Sequence, residues 1–167
     1  ATASASAANG TYNVEVEQLA TANRLNSTPF ATGSGAVVGT GVLTLTSGTN
    51  SFAVDISAAN NTLAGIRDAI NASTSNTSIQ ATIIQAGDGA RLVLAARGVG
   101  EANAIRVSQA GGDGGLAPLT YEPGGTMNML ELAPAQNARV VIDGFTVSSP
   151  TNSIENAIEG VSLSLAS

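Results

Sequence analysis

Hydrophobic and polar positions alternate along most of this chain, and one stretch switches from a period of two to a period near that of a helix. In GVLTLTSGTNSFAVDIS, Leu43 and Leu45 share one face of a strand, and Phe52, Val54 and Ile56 share one face of the next. Ser47-Gly48-Thr49-Asn50 supplies turn chemistry between them. Leu63, Ile66 and Ile70 then recur at three- and four-residue spacing, with Asn61 or Thr62 placed to cap. The pattern predicts strand, turn, strand and capped amphipathic helix over residues 41–71.

The flanks carry further strand signals. Tyr12, Val14 and Val16 alternate with Asn13, Glu15 and Glu17, so 11–19 reads as a half-exposed strand. Residues 1–9 are small and featureless, a frayed end; residues 20–25 turn polar; the Gly/Ser/Thr-rich stretch 32–41 reads as a crossing between domains. After the helix, Ile79, Ala81 and Ile83, the turn Gly87-Asp88-Gly89, and Leu92 with Leu94 predict a hairpin beneath it. A short strand is expected at 104–108, and the Gly/Pro-rich segment 109–128 reads as a long loop, functional or mobile.

The last third repeats the theme. Arg139 to Ile142, the hairpin signal Asp143-Gly144, and Phe145 with Val147 predict two paired strands. Asn152-Ser153-Ile154 leads into an expected helical turn at Ala157-Ile158, before Val161, Leu163 and Leu165 alternate on a final strand. The order Phe52, Val54, Asn61, Thr62, Leu63 is echoed by Phe145, Val147, Asn152, Ser153, Ile154, which reads as one ββα unit used twice. The predicted fold class is mainly β with short helices (α+β), as two small antiparallel β-rich domains. Because the strands at both chain ends lack neighbours, 8–35 and 130–167 are expected to form one discontinuous domain, with 36–129 inserted as the second.

Composition narrows the function. The 167 residues are 43% hydrophobic but include only five aromatics, so Val, Ile, Leu and Ala must build the core. Net charge is −6, lysine is absent, and the six arginines are scattered, which argues against nucleic acid and against anionic membrane as partners. No apolar run approaches the ~20 residues of a spanning helix. No basic-then-apolar signal-peptide pattern occurs, so a cytosolic address, a processed fragment or export without a cleavable signal is expected.

With no cysteine and no histidine, thiol chemistry, Cys-based zinc sites and an imidazole base are excluded. Carboxylates are the only catalytic candidates that remain. Glu15 and Glu17 read as the wet face of a strand, and Asp143 as a turn former. Gly111-Gly112-Asp113-Gly114-Gly115 offers one acid where calcium wants about six to eight oxygens, so a flexible loop is expected. Gly87-Asp88-Gly89 lacks the lysine of a phosphate cradle. Arg67 and Asp68 read as the wet face of the helix, or as a partner contact. Asn26, Asn60, Asn71 and Asn76 fall in N-x-Ser/Thr sequons, read as coincidental in Ser/Thr-rich surface sequence. No catalytic, cofactor-binding or metal residue is expected, and the chain reads as a protein that is not an enzyme.

Several blocks occur in an order that resembles the flagellar filament capping protein family, the flagellar hook-associated protein 2 family: YNVEVEQLATANRL, GTGVLTLTSGTNSFAVDIS, NTLAGIRDAINAS, ARLVLAARGVGEANAIRVS, ARVVIDGFTV and NSIENAIEGVSLSL. The helix TLAGIRDAIN resembles the hook-IN motif of flagellar axial proteins. The resemblance covers residues 8–167 apart from 109–135. Members have heptad-patterned terminal legs; this chain has no sustained heptads, so it resembles the excised head region lacking the coiled-coil segments.

The resemblance implies a structural assembly protein of the bacterial flagellum. Such a protein is exported by the flagellar apparatus without a cleaved signal and sits outside the cell at the distal filament tip. Its implied partners are copies of itself, in a ring-forming homo-oligomer, and flagellin, whose incorporation it promotes. The loop 109–128 is expected to offer an outward or intersubunit surface. An outer domain of another flagellar axial protein stays open. So does an adhesin domain binding host glycan or mucin, for which Tyr12 and Tyr121 would have to form the sugar platform.

Overall fold

In the computed structural model, residues 1–166 are described. They form strands β1 (Thr2–Ala3), β2 (Val14–Gln18), β3 (Ala22–Asn26), β4 (Gly41–Ser47) and β5 (Asn50–Ile56), then helix α1 (Leu63–Ala72). Strands β6 (Ile79–Ala86), β7 (Gly89–Val99), β8 (Arg106–Ala110), β9 (Leu130–Ala133), β10 (Ala138–Ile142), β11 (Phe145–Ser149), β12 (Ser153–Ile158) and β13 (Val161–Ser164) follow. The fold is mainly β, with antiparallel sheets and one short α-helix among the described residues.

The 41–72 unit forms as its periodicity predicts. β4 and β5 pair from Gly41 opposite Ile56 to Ser47 opposite Asn50, which places Leu43, Leu45, Phe52, Val54 and Ile56 on one buried face. Thr62 is the residue that caps α1: its Oγ1 accepts the Gly65 amide at 3.1 Å. Leu63, Ile66 and Ile70 are wholly buried. At roughly 1.5–3 kcal/mol for each such side chain, this one face fixes the helix against the sheets.

Two sheets and α1 enclose the larger core. One sheet has the order β5-β4-β8, and the other β6-β7-β3-β9. The β6–β7 hairpin turns at Gly87-Asp88, as expected, and contributes Ile79, Ala81, Leu92 and Leu94 to this core. The polar stretch 20–25 becomes β3, which lies between β7 and β9. Residues 22–26 and 130–133 were expected to belong with the chain ends; their hydrogen bonds instead place them in the sheet that holds the middle of the sequence. Polar side chains are tolerated there because they are satisfied. Asn23, wholly buried, accepts the Ile105 amide at 2.9 Å and donates to Glu131 and to the Ala133 carbonyl.

The second, smaller core lies between two three-stranded sheets, β1-β13-β12 and β11-β10-β2. β10 sits between β11 and β2, with Val140 opposite both Val147 and Val16. Asp143 and Gly144 both take positive φ, 46° and 89°, the two-residue geometry that closes a hairpin. Only Val140, Ile142 and Ile154 are buried in this cluster; Val147, Ile158, Leu163 and Leu165 are partly covered.

Three expectations need correcting. Residues 2–3 are a strand paired with β13, Thr2 opposite Ser162 and Ala3 opposite Val161, so backbone hydrogen bonding orders an end whose side chains stay exposed. The helical turn expected at 157–158 is the end of strand β12. Asn156 takes φ 58° where the register shifts between Glu155 and Ile158, so a bulge, not a helix, produces the irregular spacing. The second ββα echo therefore ends in strand. The 109–128 segment is also no free loop: Leu116, Leu119 and Tyr121 enter the larger core, and Tyr121 bridges both Val107 and Met127.

Candidate functional site

The carboxylates singled out in the sequence are dispersed over the surface, and no group of three or more acidic residues able to hold a metal occurs among the described residues. Asp88 chelates Arg91 beside the β6–β7 turn, and its hydrogen bond to that guanidinium holds its carboxyl below the usual range. Glu17 pairs with Arg139 on the neighbouring strand at 2.6 Å. Arg67 pairs with its sequence neighbour Asp68 at 2.7 Å. Glu15 and Asp143 do line one open hollow of about 590 Å³ with Tyr12, Asn13, Val14, Val141 and Gly144. Asp143 Oδ1 is already committed there to the Asn13 amide at 2.9 Å, which ties the turn to the start of β2.

The glycine run around Asp113 has a structural task. Asp113 Oδ1 accepts the amides of Thr40 and Gly115, both at 2.9 Å, and these backbone donors hold its carboxyl below the ordinary value. Gly112 takes φ 71°, and a Cβ there would collide with the Thr40 carbonyl. The two strands of backbone thus touch, and Asp113 fastens them.

The sequon asparagines are also structural. Asn71 accepts the Ala81 amide and donates to the Ala81 carbonyl, and Asn76 accepts the Ile79 amide while donating to the Ile70 and Ile79 carbonyls. Asn60 accepts the Ser57 amide, and Asn26 is buried rather than on the surface. Sequence reading missed these clamps because an amide bonding to distant backbone leaves no local period. Of the tyrosines named for a sugar platform, Tyr121 is 7% exposed, and burial together with the nearby Glu131 charge raises its hydroxyl pKa.

What the surface does offer is apolar. Phe145 is 76% exposed, at an edge of the β11-β10-β2 sheet, and Tyr12, Val14 and Val16 are exposed to a lesser degree at the other edge. Tyr12, Phe145, Val147 and Ile158 share a hollow of about 370 Å³ at the mouth of the smaller core. A second apolar strip runs along Met127, Leu130 and Leu132, beside β3. Large apolar side chains gathered on sheet edges mark surfaces for association more readily than for catalysis. The alternation in 12–16 was legible, but its exposure follows from how little of the facing sheet covers it.

The family model for the flagellin hook IN motif matches residues 42–98, the β4–β7 region that surrounds α1. The B-type flagellar hook-associated protein 2 of Pseudomonas aeruginosa is 32% identical over 173 residues, covering 97% of this chain and 36% of that protein. The chain thus spans about a third of the length of the curated relatives it matches. The crystal structure of the D2-D3 domains of the flagellar cap protein FliD from Escherichia coli superposes with a TM-score of 0.86 at 30% identity, covering 99% of this chain and 86% of that one. The Pseudomonas aeruginosa FliD (HAP2) structure gives 0.84 at 33%, covering 99% and 76%. With sequence and fold in agreement along nearly its whole length, the chain belongs to the flagellar hook-associated protein 2 family, the flagellar cap proteins.

Proposed function

We propose that this chain is the head of a flagellar filament cap, a structural part that self-associates at the distal tip outside the cell and promotes flagellin incorporation. The observation that carries the reading is the match to the D2-D3 domains of a flagellar cap protein over 99% of this chain. The chemistry agrees with it. Cysteine and histidine are absent from the sequence, the acids are tied into turns and ion pairs or dispersed, and the exposed apolar residues lie on sheet edges. The protein works by shape and contact, without making or breaking bonds, and reaches the tip through the flagellar export apparatus.

Two units are proposed within the head, with boundaries that follow the two cores. One is built from residues 1–20 and 135–166, and the other, 21–134, is inserted between them. In a strain whose gene for the full-length protein is deleted, the expected outcome is unpolymerised flagellin in the medium and loss of swimming. Restoring the gene restores filaments. Filaments of normal length in the deletion strain would overturn the cap reading.

A further inference from the structure

Two sheet edges in this molecule are both unpaired and apolar, and they belong to different sheets. β9 hydrogen-bonds to β3 alone and β2 to β10 alone among the described strands, so each presents an open row of backbone donors and acceptors. Natural edges are blunted by lysine, proline or inward charge. Here Leu130 and Leu132 are 60% and 53% exposed on one edge, and Val14 and Val16 are 41% and 44% exposed on the other. We propose that copies of this chain join head to tail, the free edge of β9 on one copy pairing with the free edge of β2 on the next. The proposal rests on the self-association reading above and adds the faces through which it occurs.

Charge favours the unlike pairing. Arg24 lies on β3, one strand in from β9 and opposite Ala133; it is exposed and makes no ion pair among the described residues. β2 carries Glu15 and Glu17, of which only Glu17 has a cation within its own copy. Pairing β2 with β2 would set those acids against their own kind, while β9 against β2 brings Arg24 toward them. Glu131, the acid on β9, keeps its charge while accepting from the Asn23 amide at 2.7 Å, so β9 against β2 sets one acid beside Arg24 against two, where β2 against β2 would set two against two.

Because the two patches differ, the contact is heterologous: it propagates from copy to copy and closes into a ring when the rotation allows. Strands of four and five residues bury far less than the ~1,600 Å² of a standard interface, so the isolated chain should associate weakly.

The absence of cysteine makes the test clean, since every introduced thiol is unique. Leu132→Cys (or Leu130→Cys) and Val16→Cys (or Val14→Cys) chains of different mass are prepared, mixed, and oxidised at high concentration. The expected result is a disulfide between unlike chains well in excess of either like pair. Leu130→Lys with Leu132→Lys should abolish the concentration-dependent association of the cysteine-free chain in sedimentation equilibrium, with the thermal midpoint unchanged.

Association that survives the lysines, or disulfides only between like edges, would overturn the pairing and leave self-association standing. If neither this chain nor the full-length protein associates at any concentration, both readings fall. If β9 becomes protected from hydrogen exchange only on addition of flagellin, the edge belongs to that protein and the pairing between copies is overturned.

Discussion

The two cores of this molecule are built by the same rules to very different depths. In the larger, two sheets and α1 close around Leu25, Leu43, Leu45, Ile66, Ile70, Leu92 and Leu94, with the 116–129 segment as a further cover. In the smaller, two three-stranded sheets face each other with Val140, Ile142 and Ile154 alone fully inside. Small domains bury too little surface to stand unaided. The smaller region is accordingly stitched to the larger. Asn137 accepts the Glu101 amide at 3.0 Å, and the Gln136 carbonyl accepts the Thr21 amide at 3.0 Å. One region is a self-sufficient plate; the other is held by its neighbour and has apolar surface left over. A part that must stay folded while making contacts gains from that division, because rigidity and stickiness then sit in different places.

The sharpest way to break the comparison is to hollow out each core in turn. Ile66→Ala should cost roughly 2–5 kcal/mol and lower the unfolding midpoint of the whole chain, because that site is sealed on all sides. Ile154→Ala removes a third of the buried set in the smaller core. Hydrogen exchange should then show β10–β13 opening while β4, β5 and β7 keep their protection. If both regions lose protection together in Ile154→Ala, they form one cooperative unit and the contrast fails.

A smaller effect is expected at Asn23, the polar residue deepest in the β6-β7-β3-β9 sheet. Asn23→Ala leaves the Ile105 amide without its acceptor and frees Glu131 and the Ala133 carbonyl. Each stranded buried group costs roughly 1–3 kcal/mol, so denaturant melts should show a loss of that order. Asn23→Asp restores an acceptor for Ile105 but faces Glu131 with a like charge, and it should recover only part of the loss.

Asn23 also shows where sequence reading stops. Elements whose side chains follow one period were legible: β4, β5, α1 and the β6–β7 and β10–β11 hairpins all declare a buried face, and α1 declares its cap. β3, with the sequence ANRLN, declares nothing, because its buried asparagine is tolerated only by partners more than eighty residues away. β12 misled for a related reason. Ile154 and Ile158 are spaced four apart as in a helix, but a strand with a period of two also returns to one face after four residues, and the irregularity between Glu155 and Ile158 keeps that parity. The apolar alternation of 12–16 and the Phe145 strand were readable. That neither would be fully covered depends on sheet order and on the size of the facing sheet, which no local pattern encodes.

The smallest effect bears on whether the 109–115 turn belongs with the rigid region or with the adaptable surface. The Asp113 carboxyl is held below its ordinary value by the Thr40 and Gly115 amides. A folded-state value lower than the unfolded one means that the carboxylate supports the fold at neutral pH. That support is present above the unfolded value and is lost as pH falls through the lower, folded one. Because the group is fully exposed, the effect is local and should be read at the amides rather than in the melting curve.

In NMR titrations, the Thr40 and Gly115 amide protons should shift together with a midpoint below that of a free aspartate. Asp113→Asn keeps an acceptor oxygen and should erase the pH dependence with the turn in place, while Asp113→Ala should release Thr40 at every pH. If the amides instead titrate at the ordinary carboxylate midpoint, Asp113 merely lies beside them. The turn would then be fixed only by the close approach of Gly112 to the Thr40 carbonyl, and it would group with the surface that adapts to partners.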